Sequence, residues 1–75
     1  MNNAHTAEII RTYCDYKGVS VKLVLEECEI RKGLMYDLEK RNKTPSAETL
    51  EKIANYLDCS VDYLIGRTDN PKLYK

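Results

Sequence analysis

The chain has 75 residues, with 12 Lys or Arg against 12 Asp or Glu, so its formal net charge is zero. That length allows one domain with a thin core. We expect a single unit over residues 1–75, with the core at 6–66 and an irregular tail at 67–75. No apolar run approaches the ~20 residues that a membrane span needs, which excludes a transmembrane segment. The three cysteines have spacings typical of neither a zinc site nor a disulfide framework, and we expect no metal and no cofactor.

The first apolar-periodic stretch predicts a helix that Asn3 or Thr6 caps and that ends at residue 16 or 17, with Gly18 as its left-handed terminator. Its inner side is predicted to consist of Ile9, Ile10, Tyr13, Cys14 and Lys17. This helix has no evident chemistry and is expected to brace the elements that follow. His5, the one histidine of the chain, stands in a polar terminus without a partner pattern and is predicted to be exposed.

Only three residues separate the next two predicted helices. Ser20 caps the first of them, in which apolar side chains recur at i, i+3, i+4 and i+7, namely Val21, Val24, Leu25 and Cys28. The second is predicted over residues 31–40, with Leu34, Met35 and Leu38 on its inner side. Residues 28–30 are too few for a flexible linker, so the two helices must cross at a steep angle. A helix, a tight turn and a second helix form the helix-turn-helix unit.

The remaining chain predicts two more helices. A Thr-Pro dipeptide disfavours helix just before Ser46, which can cap a helix with the inner stripe Leu50, Ile53, Ala54 and Leu57. That helix is expected to end at residues 58–59. Ser60 then caps a short helix over residues 61–65, which stops at Gly66. The pattern therefore predicts an all-α fold of five helices.

Positive charge is concentrated in one part of the chain. Residues 31–45 carry five Lys or Arg against two Asp or Glu, whereas residues 1–30 and 46–75 each carry more acidic than basic residues. The basic excess therefore lies on the second helix of the unit and just beyond it. A cationic patch on a helix-turn-helix is the electrostatic footprint that a DNA phosphate backbone requires.

Four segments in this order carry a resemblance: SVKLVLEEC at residues 20–28, IRKGLMYDLE at 30–39, TPSAETL at 44–50 and SVDYLIGRTDNP at 60–71. They resemble the Cro-like and lambda-repressor-like helix-turn-helix family (xenobiotic-response-element type), including members from Gram-positive bacteria and their phages. The resemblance implies a compact five-helix lambda-repressor-like DNA-binding domain, with the helix-turn-helix at helices 2 and 3. It also implies a sequence-specific transcriptional regulator of the repressor type that binds double-stranded DNA in the bacterial cytoplasm.

In that family the second helix of the unit enters the major groove, and the start of the preceding helix holds phosphates. The matching positions at the start of helix 2 are Ser20, Val21 and Lys22. Those on the recognition helix are Arg31, at its start, and Lys32, Gly33, Tyr36 and Asp37, on its outward face. The loop that straddles the DNA backbone corresponds to Arg41, Asn42 and Lys43.

Several of these positions allow more than one interpretation. Lys32 either donates to guanine O6 and N7 or is a solvated lysine. Tyr36 lies against a thymine methyl, donates to a phosphate, or is a half-buried surface aromatic. Gly33, predicted in mid-helix at a cost of roughly 1 kcal/mol relative to alanine, either permits close approach of the backbone to DNA or has no function.

Several positions depart from the family pattern, among them Arg31, where the family often has serine or threonine. Val21 replaces a polar residue that holds phosphate, and Glu29 replaces the glycine whose left-handed backbone the turn requires. Asp37 either accepts from cytosine N4 or repels phosphate and pairs with Arg41 or Lys40. Val21, Glu29, Asp37 and the zero net charge motivate an alternative: a protein-interaction module or antitoxin that retains the fold with weak or lost DNA binding. An enzyme is not predicted, because no nucleophile–base pair, glycine-rich phosphate loop or metal spacing is present.

Two further expectations concern partners. Relatives pair a first-helix arginine with the residue matching Glu39, but this chain has Cys14 at the arginine position, so Glu39 needs Arg11 or Lys43 instead. A module of this size buries too little surface on DNA for high specificity, so we expect a homodimer on half-sites about 34 Å apart. Candidates for the dimer surface are Tyr63, Leu64, Leu73 and Tyr74.

Overall fold

In a computed structural model that describes residues 2–72, five α-helices follow one another in the predicted order. They are α1 (Asn3–Lys17), α2 (Val21–Glu27), α3 (Leu34–Lys40), α4 (Ala47–Leu57) and α5 (Val61–Leu64). The described part contains no strand, which confirms the all-α prediction. None of its helices is long and apolar enough to cross a lipid bilayer.

Three serines fix where three of the helices begin. The hydroxyl oxygens of Ser20, Ser46 and Ser60 each accept a hydrogen bond from the backbone N–H three residues later, at 3.0, 3.1 and 3.0 Å. Each cap satisfies an N–H group that the first helical turn leaves without a partner, and such a cap typically contributes about 1 kcal/mol. The three predicted caps are confirmed.

The first helix begins earlier than predicted. Its cap is Asn2, whose side-chain oxygen accepts from the backbone N–H of His5 at 3.0 Å, so the prediction of Asn3 or Thr6 was wrong. Asn3 and Thr6 are both buried, and a cap must stand outside the helix with a free side chain. The other end is as predicted, because Gly18 adopts the left-handed conformation at φ +75°.

The third helix begins later than predicted. It starts at Leu34 rather than at residue 31, and the residues before it form a turn closed by a 3.2 Å bond from the Leu34 N–H to the Arg31 carbonyl. Gly33 is therefore the residue that precedes the helix, not a mid-helix glycine, and the predicted helix-propensity penalty does not apply. The expected left-handed residue in the turn between α2 and α3 is confirmed, since Glu29 has φ +57°.

The helices enclose one hydrophobic cluster, and α1 contacts each of the other four helices. The predicted inner stripes of α3 and α4 are all buried: Leu34, Met35, Leu38, Leu50, Ile53, Ala54 and Leu57. Cys14 and Cys59 are also buried, whereas Cys28 is half-buried. The core thus confirms that helical periodicity identified most inward-facing side chains.

The end of the chain corrects part of the predicted dimer surface. Leu64 is 0% exposed and packs inside its own core, so it is not free to contact another copy. Tyr63 is half-buried, with its ring centroid 5.2 Å from that of Tyr13. Leu73 and Tyr74 lie outside the described residues. The segment after α5 is irregular as far as it is described, and the Pro71 carbonyl accepts from the Ser60 N–H at 2.9 Å.

Candidate nucleic-acid interface

Helix α3 has one buried side and one side in solvent. Leu34, Met35 and Leu38 hold it against the core, whereas Tyr36 is 57% exposed and Lys40 is exposed. The outer side of α3 is thus accessible to a second molecule.

Three exposed lysines lie close in sequence to α3 or at the start of α2. Lys32 precedes α3, Lys43 follows it, and Lys22 stands near the start of α2, all three exposed. Among the described residues, none of these three lysines forms an ion pair with a carboxylate. Their full charge is therefore available to an external anion.

Arg31 and Asp37 form an ion pair that the sequence analysis did not foresee. Nη2 of Arg31 lies 2.5 Å from Oδ2 of Asp37, and Asp37 is only 7% exposed. The predictions that Asp37 faces outward, and that its cationic partner is Arg41 or Lys40, were wrong. Because the residues before α3 form a turn rather than a helix, the Arg31 side chain can fold back onto the carboxylate one turn into α3. A Cβ on Gly33 would lie 3.0 Å from Nη2 of Arg31, so glycine leaves room for this pair.

Tyr36 and Arg41 pack on each other at the far side of α3. The guanidinium carbon lies 5.6 Å from the ring centroid, which is a cation–π contact worth about 0.5–1 kcal/mol at an exposed site. Tyr36 is thus an exposed aromatic, not the half-buried one that was among the interpretations. The contact restrains two exposed side chains, one on α3 and one just after it.

The loop after α3 is fixed by a residue from the other end of the chain. Nδ2 of Asn3 donates to Oδ1 of Asn42 at 3.0 Å and to Oγ1 of Thr44 at 3.2 Å. Asn42 itself has φ +52°, and the Lys43 N–H bonds to the Asp37 carbonyl at 3.0 Å. The side-chain oxygen of Asn42 is therefore bonded within the chain. Asn42 thus helps to fix the backbone of the loop that carries Lys43. Sequence reasoning missed Asn3, since its partners are about 40 positions away and no local pattern marks them.

The start of α2 offers one cation and two side chains engaged within the protein. The Ser20 hydroxyl caps the helix, Val21 is half-buried against the core, and Lys22 is exposed. Arg11, Lys22 and Lys32 rim a cleft of about 340 Å³ whose floor is apolar and whose remaining lining residues are Val21, Leu25 and Met35. Arg11 is paired with Glu39 at 2.5 Å, which confirms one of the two partners predicted for Glu39.

The thiols show no sign of chemical activation. Burial is the main cause that raises the pKa of all three cysteines, and for Cys59 it raises the pKa from 9.0 to about 11. Protonated thiols are poor nucleophiles and poor metal ligands. Across the residues that the structure describes, no group of three or more His, Cys, Asp or Glu is placed to hold a metal ion.

Comparison with known proteins gives one match. A family model described as the Cro/C1-type helix-turn-helix DNA-binding domain matches residues 9–70. No curated protein and no solved structure matches the chain. The matched range covers all of α2, α3, α4 and α5 and most of α1.

Proposed function

Since the chain belongs to the Cro/C1-type helix-turn-helix DNA-binding family, we propose that it is a sequence-specific transcriptional regulator of the repressor type. In this proposal α3 enters the major groove of double-stranded DNA. The observation that carries it is the solvent-facing side of α3, which is exposed, with lysines before and after the helix that form no ion pair within residues 2–72. The major groove is wide enough to admit a helix, and its phosphates attract such a border.

The proposed contacts divide into two kinds. Lys22, Arg41 and Lys43 bind phosphates, because they are exposed cations at the start of α2 and just after α3, where this family holds the DNA backbone. Lys32 donates to guanine, and Tyr36 lies against a thymine methyl or donates to a phosphate. The remaining positions of the proposed interface hold its backbone in place: Ser20, Val21, Gly33 and Asn42.

We also propose that the protein binds DNA as a homodimer, for which Tyr63 is the remaining described candidate. Tyr63 lines a groove of about 390 Å³ together with Tyr13, Tyr16, Lys17, Thr12 and Pro71. Sedimentation across a concentration series, with and without DNA, tests this part separately. Monomer under all conditions would remove it and leave the DNA contacts of a single module.

The alternative proposal, a protein-interaction module with weak DNA binding, is favoured by one observation. Glu29 is exposed in the turn just before the cationic segment, where its charge repels phosphate. Binding of duplex DNA with little salt dependence would favour this alternative.

Selection of duplexes from a random pool at low ionic strength tests the regulator proposal. We expect enrichment of a related set of sites that contain a repeated half-site. Lys43→Ala should weaken binding to every sequence about equally, whereas Lys32→Ala should relax the preference at particular base pairs. Failure of the wild-type protein to retain any duplex would overturn the proposal.

A further inference from the structure

We propose that Arg31 reads a guanine in the major groove and that Asp37 is a positioning residue that orients its guanidinium for this contact. The inference rests on the proposed DNA-binding function and adds the base that this part of the site selects. It also changes the role of Asp37, which acts through Arg31 instead of contacting a base itself.

The ion pair leaves most of the guanidinium available. Arginine has five N–H donors in a planar fork, and the pair with Asp37 uses the Nη2 edge through a single 2.5 Å contact. The Arg31 side chain is 67% exposed, whereas the Asp37 side chain is only 10% exposed. A buried carboxylate therefore supports a guanidinium that faces solvent. A second acceptor can thus approach from the solvent side without breaking the pair.

The charge of the pair favours a base over a phosphate. With its positive charge balanced by the carboxylate of Asp37, the Arg31 guanidinium exerts little net attraction on an external anion, and a phosphate at the same place would also be repelled by that carboxylate. Guanine is different, because its O6 and N7 are neutral acceptors whose spacing matches two guanidinium donors. A guanidinium that is already oriented also loses less conformational freedom when it binds.

Gly33 supports the same geometry. A Cβ at position 33 would lie 3.0 Å from Nη2 of Arg31, within the range where a neighbouring atom must move. The pair also shares a surface groove of about 190 Å³ with Lys43, which places a free cation beside it for the flanking phosphate. The arrangement therefore combines one directional donor, its support and an adjacent phosphate contact.

The test compares base preference with salt dependence in three variants: Arg31→Ala, Asp37→Ala and Gly33→Ala. Each is assayed on the site selected with the wild-type protein and on versions in which each guanine is replaced in turn. We expect Arg31→Ala to lower the preference for guanine at one position roughly 10- to 100-fold, with smaller losses at the same position for the other two variants. The slope of log affinity against log salt should be unchanged in Arg31→Ala, whereas Lys43→Ala, the matched control, should flatten it by about 0.9 and keep the guanine preference.

A base analogue tests the proposed contact at a single acceptor atom. Replacing that guanine with 7-deazaguanine removes the N7 acceptor, so it should weaken wild-type binding and have little further effect on Arg31→Ala. Circular dichroism checks that each variant folds. If Asp37→Ala does not fold, Gly33→Ala carries the test of guanidinium positioning, because its Cβ makes Nη2 shift by a few tenths of an ångström and leaves the carboxylate in place.

The outcomes separate this inference from the function on which it rests. A flattened salt slope in Arg31→Ala, with base preferences unchanged, would make Arg31 a phosphate contact and overturn the inference alone. A selected site without any position at which guanine preference depends on Arg31 would do the same. Unchanged guanine preference in both Asp37→Ala and Gly33→Ala would remove the positioning role. A wild-type protein that selects no duplex would overturn the function and the inference together.

Discussion

The bridge from Asn3 to the loop after α3 gives the most sharply defined stability prediction. Asn3 is 3% exposed and donates to both Asn42 and Thr44, and each such hydrogen bond contributes about 0.5–1.5 kcal/mol net. Asn42 and Thr44 are exposed, so water replaces part of what is lost. We therefore expect Asn3→Ala to lower the free energy of unfolding by about 1–2 kcal/mol, equivalent to about 4–8 °C in Tm for each kcal/mol.

Urea denaturation followed by circular dichroism measures this change, and a double-mutant cycle with Asn42→Gly isolates the shared bond. Glycine is the right replacement because Asn42 has φ +52°, where alanine would add strain of its own. We expect a coupling energy of about 0.5–1 kcal/mol between the two positions. An Asn3→Ala protein within ~0.5 kcal/mol of wild type, or a strictly additive cycle, would show that the bridge contributes nothing to stability.

Three further predictions concern the scaffold. Thr6→Val should leave the free energy of unfolding unchanged or raise it by up to about 1 kcal/mol in urea titrations, because Oγ1 of this buried residue has no hydrogen-bond partner among the described residues. A marked loss of stability would show that the hydroxyl does have a partner. Burial raises the pKa of the Cys59 thiol to about 11, so stability should fall as pH rises from 9 towards 11, by about 1.4 kcal/mol per pH unit. Cys59→Ala should remove that part of the pH dependence, and an equal slope in this variant would contradict the assignment. Gly66→Ala should destabilise the fold more than Gly18→Ala, for which left-handed strain of about 1–2 kcal/mol is expected. Both glycines have positive φ, but of the two only a Cβ at position 66 would meet the His5 ring, at 3.1 Å. In a His5→Ala background, Gly66→Ala and Gly18→Ala should therefore lower Tm by similar amounts.

Local sequence signals predicted the features that local physics determines. The serine caps at Ser20, Ser46 and Ser60 act over three residues, and the inner stripes of α3 and α4 follow from helical period alone. The left-handed turn at Glu29 was predicted from the resemblance even though its side chain is unfavourable there. These signals lie within one or two turns of chain, and for that reason a single sequence contains them.

The errors arose where side chains from separate elements determine the structure. Gly33 disfavours helix by only roughly 1 kcal/mol, which was too weak a signal to mark residues 31–33 as a turn. They nevertheless form a turn whose arginine folds back onto Asp37. Leu64 lies in a helix of four residues, which is too short for any periodicity to show which side is buried. The hydrogen bonds of Asn3 join positions about 40 residues apart, and only the folded structure brings them together.

The measurement that bears most directly on the proposed groove contact is the salt dependence of binding to a duplex site. For three phosphate contacts, by Lys22, Arg41 and Lys43, we expect log affinity to fall with log salt at a slope of about −3 per protomer. Lys43→Ala should reduce the steepness by about 0.9, whereas Lys52→Ala, which removes a lysine on α4 that pairs with Glu48, should leave it as in the wild type. Binding that does not change with salt, or an equal effect of the two lysine substitutions, would contradict a DNA contact centred on α3.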